Sequence, residues 1–236
     1  MFTSMLDAIR MGVMREPISS MIKIKKTRSD KSEETRRALF DAAVQVVGEE
    51  GYASASVDKI VARANVAKGT FYNYFENQQD LFDQLLPNLG EKLLDYIRTH
   101  LDSSLTGLAR ERRRMETYFE FCRKTPGFLR ILNEAEIFAP QAFRRHVKLF
   151  YEGYYRSIQR SVNRGEISGY DDDELGIVVF MLMGIRSYVT MLYQYKYISR
   201  SKVELEKVIS TYEKFVDRAL FGPEDGRSIP TFKKPG

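Results

Sequence analysis

Residues 68–74 contain side chains that can bind phosphates and the edges of bases. A lysine offers positive charge, a glycine lets a partner approach the backbone, and hydroxyl and amide groups can donate or accept hydrogen bonds. These residues are Lys68, Gly69, Thr70, Tyr72, Asn73 and Tyr74. The segment therefore has the chemistry of a nucleic-acid surface, provided that the fold exposes it.

A helical hairpin is predicted to hold this segment. Ser56 is a good N-cap for a helix whose apolar residues recur at helical spacing up to residue 64. Asn65 tolerates the left-handed conformation that ends a helix in a sharp turn. Phe71 and Phe75, four residues apart, are predicted to turn inward and anchor a second short helix. On spacing alone, an ordinary hairpin with incidental polar residues is as good an interpretation as a DNA-binding one.

Bulk properties exclude several other classes. The 236 residues can hold one large domain or two modest ones, and the net charge of +5 with a pI near 9.1 fits a polyanionic partner. The single cysteine, Cys122, excludes an internal disulfide and is predicted to be a small core residue in a cytoplasmic protein.

His100 and His146 lack neighbours at metal-ligand spacing, and no phosphate loop or nucleophile motif occurs. We expect no enzyme activity, no metal and no cofactor.

Helical periodicity predicts an all-α chain. Beyond the hairpin, helices are predicted over about 33–50, 78–100, 108–125, 128–138, 141–164, 173–197 and 201–220. The expected organisation is a flexible basic leader over 1–32, a small domain over 33–83, a larger helical domain over 84–221 and a flexible tail over 222–236. The leader either reaches DNA or is a solvated tail. Pro87 is expected to interrupt the helix that joins the two domains.

The last two predicted helices carry more apolar surface than a small bundle needs. The run over residues 175–193 is apolar almost all round, but Gly176, Gly184 and Arg186 interrupt it, which favours a buried interface helix over a membrane span. An apolar stripe over residues 205–220 follows. Self-association through a two-fold axis is expected, with a self-contained bundle core as the alternative.

Three segments resemble the N-terminal domain of tetracycline-repressor (TetR) family regulators. They read LFDAAVQVVGEEGY at 39–52, SVDKI at 56–60 and ANVAKGTFYNYF at 64–75. The resemblance implies an N-terminal three-helix helix-turn-helix DNA-binding domain followed by a larger helical domain for ligand binding and dimerisation. Three positions depart from the family pattern: Asn65 replaces the usual Gly, Ala67 a Ser or Thr cap, and Gln78 a phosphate-binding Lys.

Individual residues are expected to take different roles on DNA. By the resemblance and by their place at helix N-termini, phosphates are expected to bind Ser56, Lys68, Gly69 and Tyr72. The candidates for contacts to base edges are Thr70, Asn73 and Tyr74. Arg36 is also predicted to contact DNA.

In a TetR-like protein, the middle of this chain has the composition of an effector pocket. Residues 109–164 are rich in aromatic side chains and hold thirteen Lys and Arg against six Asp and Glu. This suits a hydrophobic ligand with an anionic end, such as an acyl thioester or an aromatic acid. The predicted lining residues are Tyr118, Phe119, Phe121, Phe138, Phe150, Tyr154 and Met181. The alternative is a plain aromatic core with solvated arginines, and the arginine run at 112–114 is predicted to be such a solvated face.

The sequence therefore predicts a cytoplasmic, ligand-responsive repressor that binds a palindromic operator as a homodimer and has no membrane partner. Two other classes stay open. An enzyme or carrier could use the basic aromatic region for acyl thioesters, and an architectural DNA-binding protein would need no ligand.

Overall fold

A computed structural model describes residues 27–196 and 203–222. Within these ranges the chain is helical and contains no strand, as predicted. The helices are α1 Arg28–Glu50, α2 Val57–Ala64, α3 Lys68–Phe71, α4 Gln78–His100, α5 Gly107–Lys124, α6 Phe128–Phe138, α7 Pro140–Asn163, α8 Asp172–Gln194 and α9 Leu205–Val216, with a π-helical turn at Asp217–Phe221. Among the described residues, those before Leu39 belong to one unit and those from Leu39 onward to another.

Helix α1 begins five residues before its predicted start. The Thr27 hydroxyl accepts a hydrogen bond from the Asp30 amide at 3.1 Å, and the Asp30 carboxylate accepts one from the Thr27 amide at 2.8 Å. This reciprocal cap starts a helix within the predicted leader. The rest of the leader, residues 1–26, lies outside the described residues, as do 197–202 and the tail from residue 223.

The predicted hairpin is formed by α2 and α3. The Ser56 hydroxyl accepts a hydrogen bond from the Lys59 amide at 3.3 Å, and Asn65 ends α2 in the left-handed conformation with φ 55°. The Val66 amide then donates to the Val61 carbonyl at 3.0 Å, which closes the turn. As expected from Ala67, no side chain caps α3, which is a single helical turn.

One apolar core extends from α1 through α4 into α5 and α6. Its fully buried members include Leu39, Val47, Ile60, Phe71, Phe75, Leu81, Leu85, Leu89 and Phe128. Cys122 is buried in this core, as predicted, and burial raises the pKa of its thiol.

Helix α4 runs through Pro87 without a break, so the prediction that this proline interrupts the helix is wrong. Leu85, Leu86 and Leu89 are buried on either side of it. Their packing compensates for the hydrogen bond that proline removes.

A second core lies among α5, α7, α8 and α9. It includes Met115, Phe119, Ile158, Leu175, Val179, Leu182, Val208 and Val216. Helix α8 has two different faces. The buried face carries Leu175, Val179, Leu182, Arg186 and Thr190, and the opposite face exposes Ile177, Phe180, Met181 and Tyr188. Among the described helices, α8 is the one long and apolar enough to cross a bilayer.

Candidate nucleic-acid interface and ligand cavity

Two buried aromatic residues fix the orientation of α3. Phe71 and Phe75 are fully buried with ring centroids 5.2 Å apart, and Phe40 of α1 lies edge-on to Phe75 at 5.4 Å. Close-packed rings of this kind leave a helix little freedom to rotate. The other side of the segment therefore faces solvent in a defined orientation, with Tyr72 53% exposed and Asn73 also exposed.

The Lys68 ammonium lies at the surface beside α2. Its Nζ is 2.8 Å from Oδ1 of Asp58, and the hydrogen bond to this carboxylate raises the pKa of Lys68. Both side chains are more than half exposed, so the pair contributes little to stability. A phosphate can therefore replace Asp58 as the partner of Lys68 at small cost.

Gly69 is not required by the fold of the free protein. Its φ is not in the left-handed region, and no atom lies within 4 Å of the place where a Cβ would stand. The absent side chain leaves the backbone of α3 open to the close approach of a partner. Lys68, Gly69, Tyr72 and Asn73 are all exposed and are called the α3 surface below.

The other predicted DNA-binding residues lie in different surroundings. Thr70 and Tyr74 are half-buried, and Tyr74 packs against the first core. Ser56 uses its hydroxyl to cap α2. Arg36 is exposed on the part of α1 that belongs to the unit before Leu39.

Gln78, which departs from the family pattern, has a structural partner. Its Nε2 donates to the Ala55 carbonyl at 3.0 Å and so ties the start of α4 to the chain just before α2.

A cavity of about 420 Å³ lies among α4, α5, α6, α7 and α8. Its apolar wall includes Leu93, Ile97, Leu132, Phe143, Phe150 and Met183, and its polar groups include Arg110, Arg114, His146, Arg160 and Arg186. No carboxylate belongs to the described residues that line it. This volume and mixed lining are typical of small-molecule sites.

Three of the seven predicted pocket residues, Tyr118, Phe150 and Tyr154, line this cavity. The other four lie elsewhere. Phe119 is in the second core with its ring against Tyr193, and Phe121 is in the first core against Phe128. Phe138 stacks on Tyr52 at 5.7 Å, and Met181 is on the exposed face of α8.

A charged cluster is buried at the cavity wall. The Glu111 carboxylate pairs with Arg114 and accepts a hydrogen bond from the Tyr154 hydroxyl. Arg114 also donates to the Ser157 hydroxyl at 2.8 Å, so the prediction that the arginine run at 112–114 is a solvated face is wrong for Arg114. Burial, followed by Glu111, raises the pKa of Tyr154, which keeps its hydroxyl protonated as a donor.

The Arg186 guanidinium completes this cluster from α8. It lies over the Tyr154 ring, 4.7 Å from the centroid, while Arg114 lies 4.2 Å from the same centroid. Arg186 is the single charged residue in the run of nineteen residues over 175–193, and a lone charge in such a run indicates a buried polar site. The sequence argument took Arg186 only as evidence against a membrane span.

His146 was also missed as a cavity residue. It is buried beside Phe150 at 4.4 Å, and a Cβ on Gly90 of α4 would lie 2.8 Å from its Nδ1. Burial lowers the pKa of His146 to about 4, so the imidazole is neutral at pH 7. Nδ1 has no hydrogen-bond partner among the described residues.

Helix α6 contacts both the cavity and the turn that follows α1. Leu132 lines the cavity. From another part of α6, the Glu134 carboxylate accepts a hydrogen bond from the Tyr52 amide at 2.8 Å, and Arg130 donates to the Glu49 carbonyl at 2.7 Å. Helix α6 therefore both lines the cavity and holds the end of α1 and the turn after it in place.

The fold and the exposed segment define a helix-turn-helix transcription regulator. A family model described as bacterial regulatory proteins, tetR family, matches residues 39–85. Residues 39–85 are therefore an N-terminal DNA-binding domain of the TetR family.

Two curated relatives from Bacillus subtilis show how far the similarity extends. An uncharacterized HTH-type transcriptional regulator, YhgD, is 23% identical over 189 residues, which cover 78% of this chain and 96% of that protein. A fatty acid metabolism regulator protein is 42% identical over 59 residues, which cover 25% of this chain but only 29% of the relative. The stronger identity is thus confined to a segment of that relative.

Solved structures extend the likeness in fold. FadR from Bacillus subtilis in complex with stearoyl-CoA has a TM-score of 0.64 at 20% identity, covering 77% of this chain and 97% of that one. The fatty acid degradation regulator FadR from Bacillus halodurans has a TM-score of 0.65 at 21% identity, covering 81% and 96%. These matches span the helices on both sides of α4.

Proposed function

We propose that this chain is a cytoplasmic, ligand-responsive repressor. It binds a palindromic operator as a homodimer and releases it when a small hydrophobic effector with anionic character fills the cavity. The observation that carries the proposal is the α3 surface, a polar exposed strip held in place by the buried rings of Phe71 and Phe75. Rigid presentation of such a strip is what the second helix of a helix-turn-helix needs to enter a major groove.

Different residues contact the phosphates and the bases of the DNA. Lys68, Gly69 and Tyr72 bind phosphates, with Ser56 and Arg36 as further contributors. Asn73 is the principal base-reading residue, since its amide can make paired hydrogen bonds to adenine. Thr70 and Tyr74, being half-buried, contribute at the edges of the contact.

Dimerisation uses the exposed face of α8 together with Phe215 of α9. Phe180, Met181, Tyr188 and Phe215 are each more than half exposed, and Gly184 between them has open space around it. Such an apolar face fits a second copy of the chain. A bilayer is a poorer partner, since the opposite face of the same helix carries the buried Arg186.

The cavity supports a regulatory role for a ligand. Its apolar wall fits an acyl or aromatic body, its arginines fit an anion, and α6 joins it to the DNA-binding fold. The relatives that are fatty acid regulators, one of them bound to stearoyl-CoA, favour an acyl-like effector. A catalytic role is not part of the proposal, and neither a metal nor a cofactor is needed for it.

The test uses fluorescence anisotropy with a palindromic fragment from the DNA beside the gene and a scrambled fragment of equal length. We expect preference for the palindrome and an affinity that falls steeply with salt. The double variant Lys68→Ala/Tyr72→Ala should lose at least about tenfold in affinity with unchanged unfolding, since both side chains are exposed. The matched control Lys148→Ala, an exposed lysine on α7, should bind normally. Equal binding of both fragments would exclude sequence-specific repression, and no release of the palindrome by any acyl compound would favour an architectural role.

A further inference from the structure

The cavity has an unbalanced positive charge. Four arginines line it, namely Arg110, Arg114, Arg160 and Arg186, without a carboxylate among the described lining residues. Burial, followed by repulsion from Arg114 and Arg160, lowers the pKa of Arg110. Arg110, Arg114 and Arg160 are therefore close enough to repel one another, and of the four arginines Arg114 and Arg186 are the buried ones.

Arg186 is the least satisfied of these groups. It is nine-tenths buried, and its Nε and Nη2 have no hydrogen-bond partner among the described residues. Its nearest carboxylate is Glu111, with Nη2 at 3.7 Å from Oε2, beyond hydrogen-bonding distance. The Tyr212 hydroxyl neighbours Arg186, but burial raises the pKa of Tyr212, so this hydroxyl is neutral and cannot balance the charge of the guanidinium.

Glu111 cannot neutralise both arginines. Its oxygens already serve Arg114 and the Tyr154 hydroxyl, so the cluster of Glu111, Arg114 and Arg186 keeps one net positive charge. A buried charge with open donors is costly unless an anion meets it. Arg186 is one of the residues that line the cavity, so the anionic end of a ligand there can approach its guanidinium.

The anion that reaches Arg186 inside the cavity must be part of the ligand that fills the cavity, and this restricts its chemical type. The acyl part of a thioester carries no charge, so it cannot balance an arginine that it reaches inside the cavity. A free carboxylate can, and the planar guanidinium is suited to bind it through two hydrogen bonds. The cavity of about 420 Å³ lies within the range of small-molecule sites, so an acid with an apolar body of modest length fits it.

We propose that the effector is a free organic acid with an apolar body, and that its carboxylate binds Arg186 inside the cavity. The inference rests on the proposed function, since it names the ligand class of the same cavity. Apolar contacts come from Leu93, Ile97, Leu132 and Phe150, and His146 offers a second polar contact.

Isothermal titration calorimetry with decanoate, decanol and decanoyl-coenzyme A tests this assignment. Wild-type protein should bind decanoate at least about tenfold more tightly than decanol and more tightly than the thioester. Arg186→Met should lose about tenfold to hundredfold in decanoate affinity and nothing in decanol affinity. Arg156→Met, which changes an exposed arginine of α7 outside the cavity, should match wild type.

Folding is checked on the same variants. Arg186→Met should keep or raise the Tm, since it removes an uncompensated buried charge, and decanoate should no longer raise that Tm. Arg186→Lys, which keeps the charge without the planar fork, should retain part of the decanoate preference.

Several outcomes would overturn the assignment: equal affinity for decanoate and decanol, undiminished decanoate binding by Arg186→Met, or tighter binding of the thioester than of the acid. Operator binding, measured in parallel, separates this result from the proposed function. Release of the operator by decanoyl-coenzyme A but not by decanoate would contradict the acid assignment and leave the repressor intact. Binding of decanoate at Arg186 without release would support the site and contradict ligand-responsive repression.

Discussion

Gly48 in α1 and Gly127 at the start of α6 pack backbone against backbone. A Cβ on Gly48 would lie 2.4 Å from the Cα of Gly127, and a Cβ on Gly127 would lie 2.6 Å from the Val44 carbonyl oxygen. Neither side can yield by rotating a side chain, since the obstructing atoms belong to the backbone. The DNA-binding fold and the cavity-bearing helices therefore meet at a contact that only glycine permits.

We expect Gly48→Ala to destabilise the protein by about 1–3 kcal/mol, because the added methyl group forces α1 away from α6. Urea unfolding measures this change. Gly153→Ala is a matched control, since Gly153 also lies inside a helix but has open space around it. That change should stabilise the protein by about 0.5–1 kcal/mol through helix propensity. Similar effects of the two substitutions would mean that the α1–α6 contact is not tight.

Gly69→Ala tests the α3 surface, because this change should lower DNA affinity without lowering stability. The free protein has room for the methyl group, so the free energy of unfolding should stay the same or rise slightly. A methyl group between α3 and a phosphate should remove one or two charge-assisted hydrogen bonds, which lowers operator affinity about tenfold to hundredfold. Anisotropy and urea unfolding on the same preparation separate the two effects. Unchanged operator affinity would place Gly69 outside the DNA contact.

The exposed face of α8 predicts the oligomeric state. Met181→Glu/Tyr188→Glu puts two charges on a face whose members are 59% and 61% exposed in the single chain. If this face is the dimer interface, the dissociation constant should rise at least about thirtyfold, as for central residues of an interface. Analytical ultracentrifugation gives the constant, and Ile137→Glu, on an exposed position of α6, is the control. A double variant that remains as dimeric as the control would refute this interface.

Local chemistry explains why the α2–α3 hairpin was predictable. Ser56, Asn65 and Phe71 each act through neighbours within a few residues, by capping, by a left-handed turn and by helical spacing. Helix α4 was likewise predicted at its observed bounds of Gln78 and His100. Such features depend on sequence separation alone.

The cavity was only partly predictable, because its lining depends on which face of each helix meets which neighbour. Tyr118, Phe119 and Phe121 are adjacent on α5, yet they face the cavity, the second core and the first core respectively. A helix that is covered all round gives no periodic signal to choose between these faces. Arg114 was misplaced for a related reason, since two of its partners, Tyr154 and Ser157, come from α7.

His146 predicts a pH dependence of stability. Burial lowers its pKa to about 4 in the folded chain, against 6.5 for an ordinary histidine, so the unfolded chain binds more protons between these values. The stability it provides is complete above pH 6.5 and is lost as the pH falls toward 4, by about 2–3 kcal/mol. Urea unfolding at pH 7 and pH 4.5 measures the loss, which His146→Gln should reduce and the exposed His100→Gln should not. An equal loss in wild type and His146→Gln would show that other groups cause the acid sensitivity.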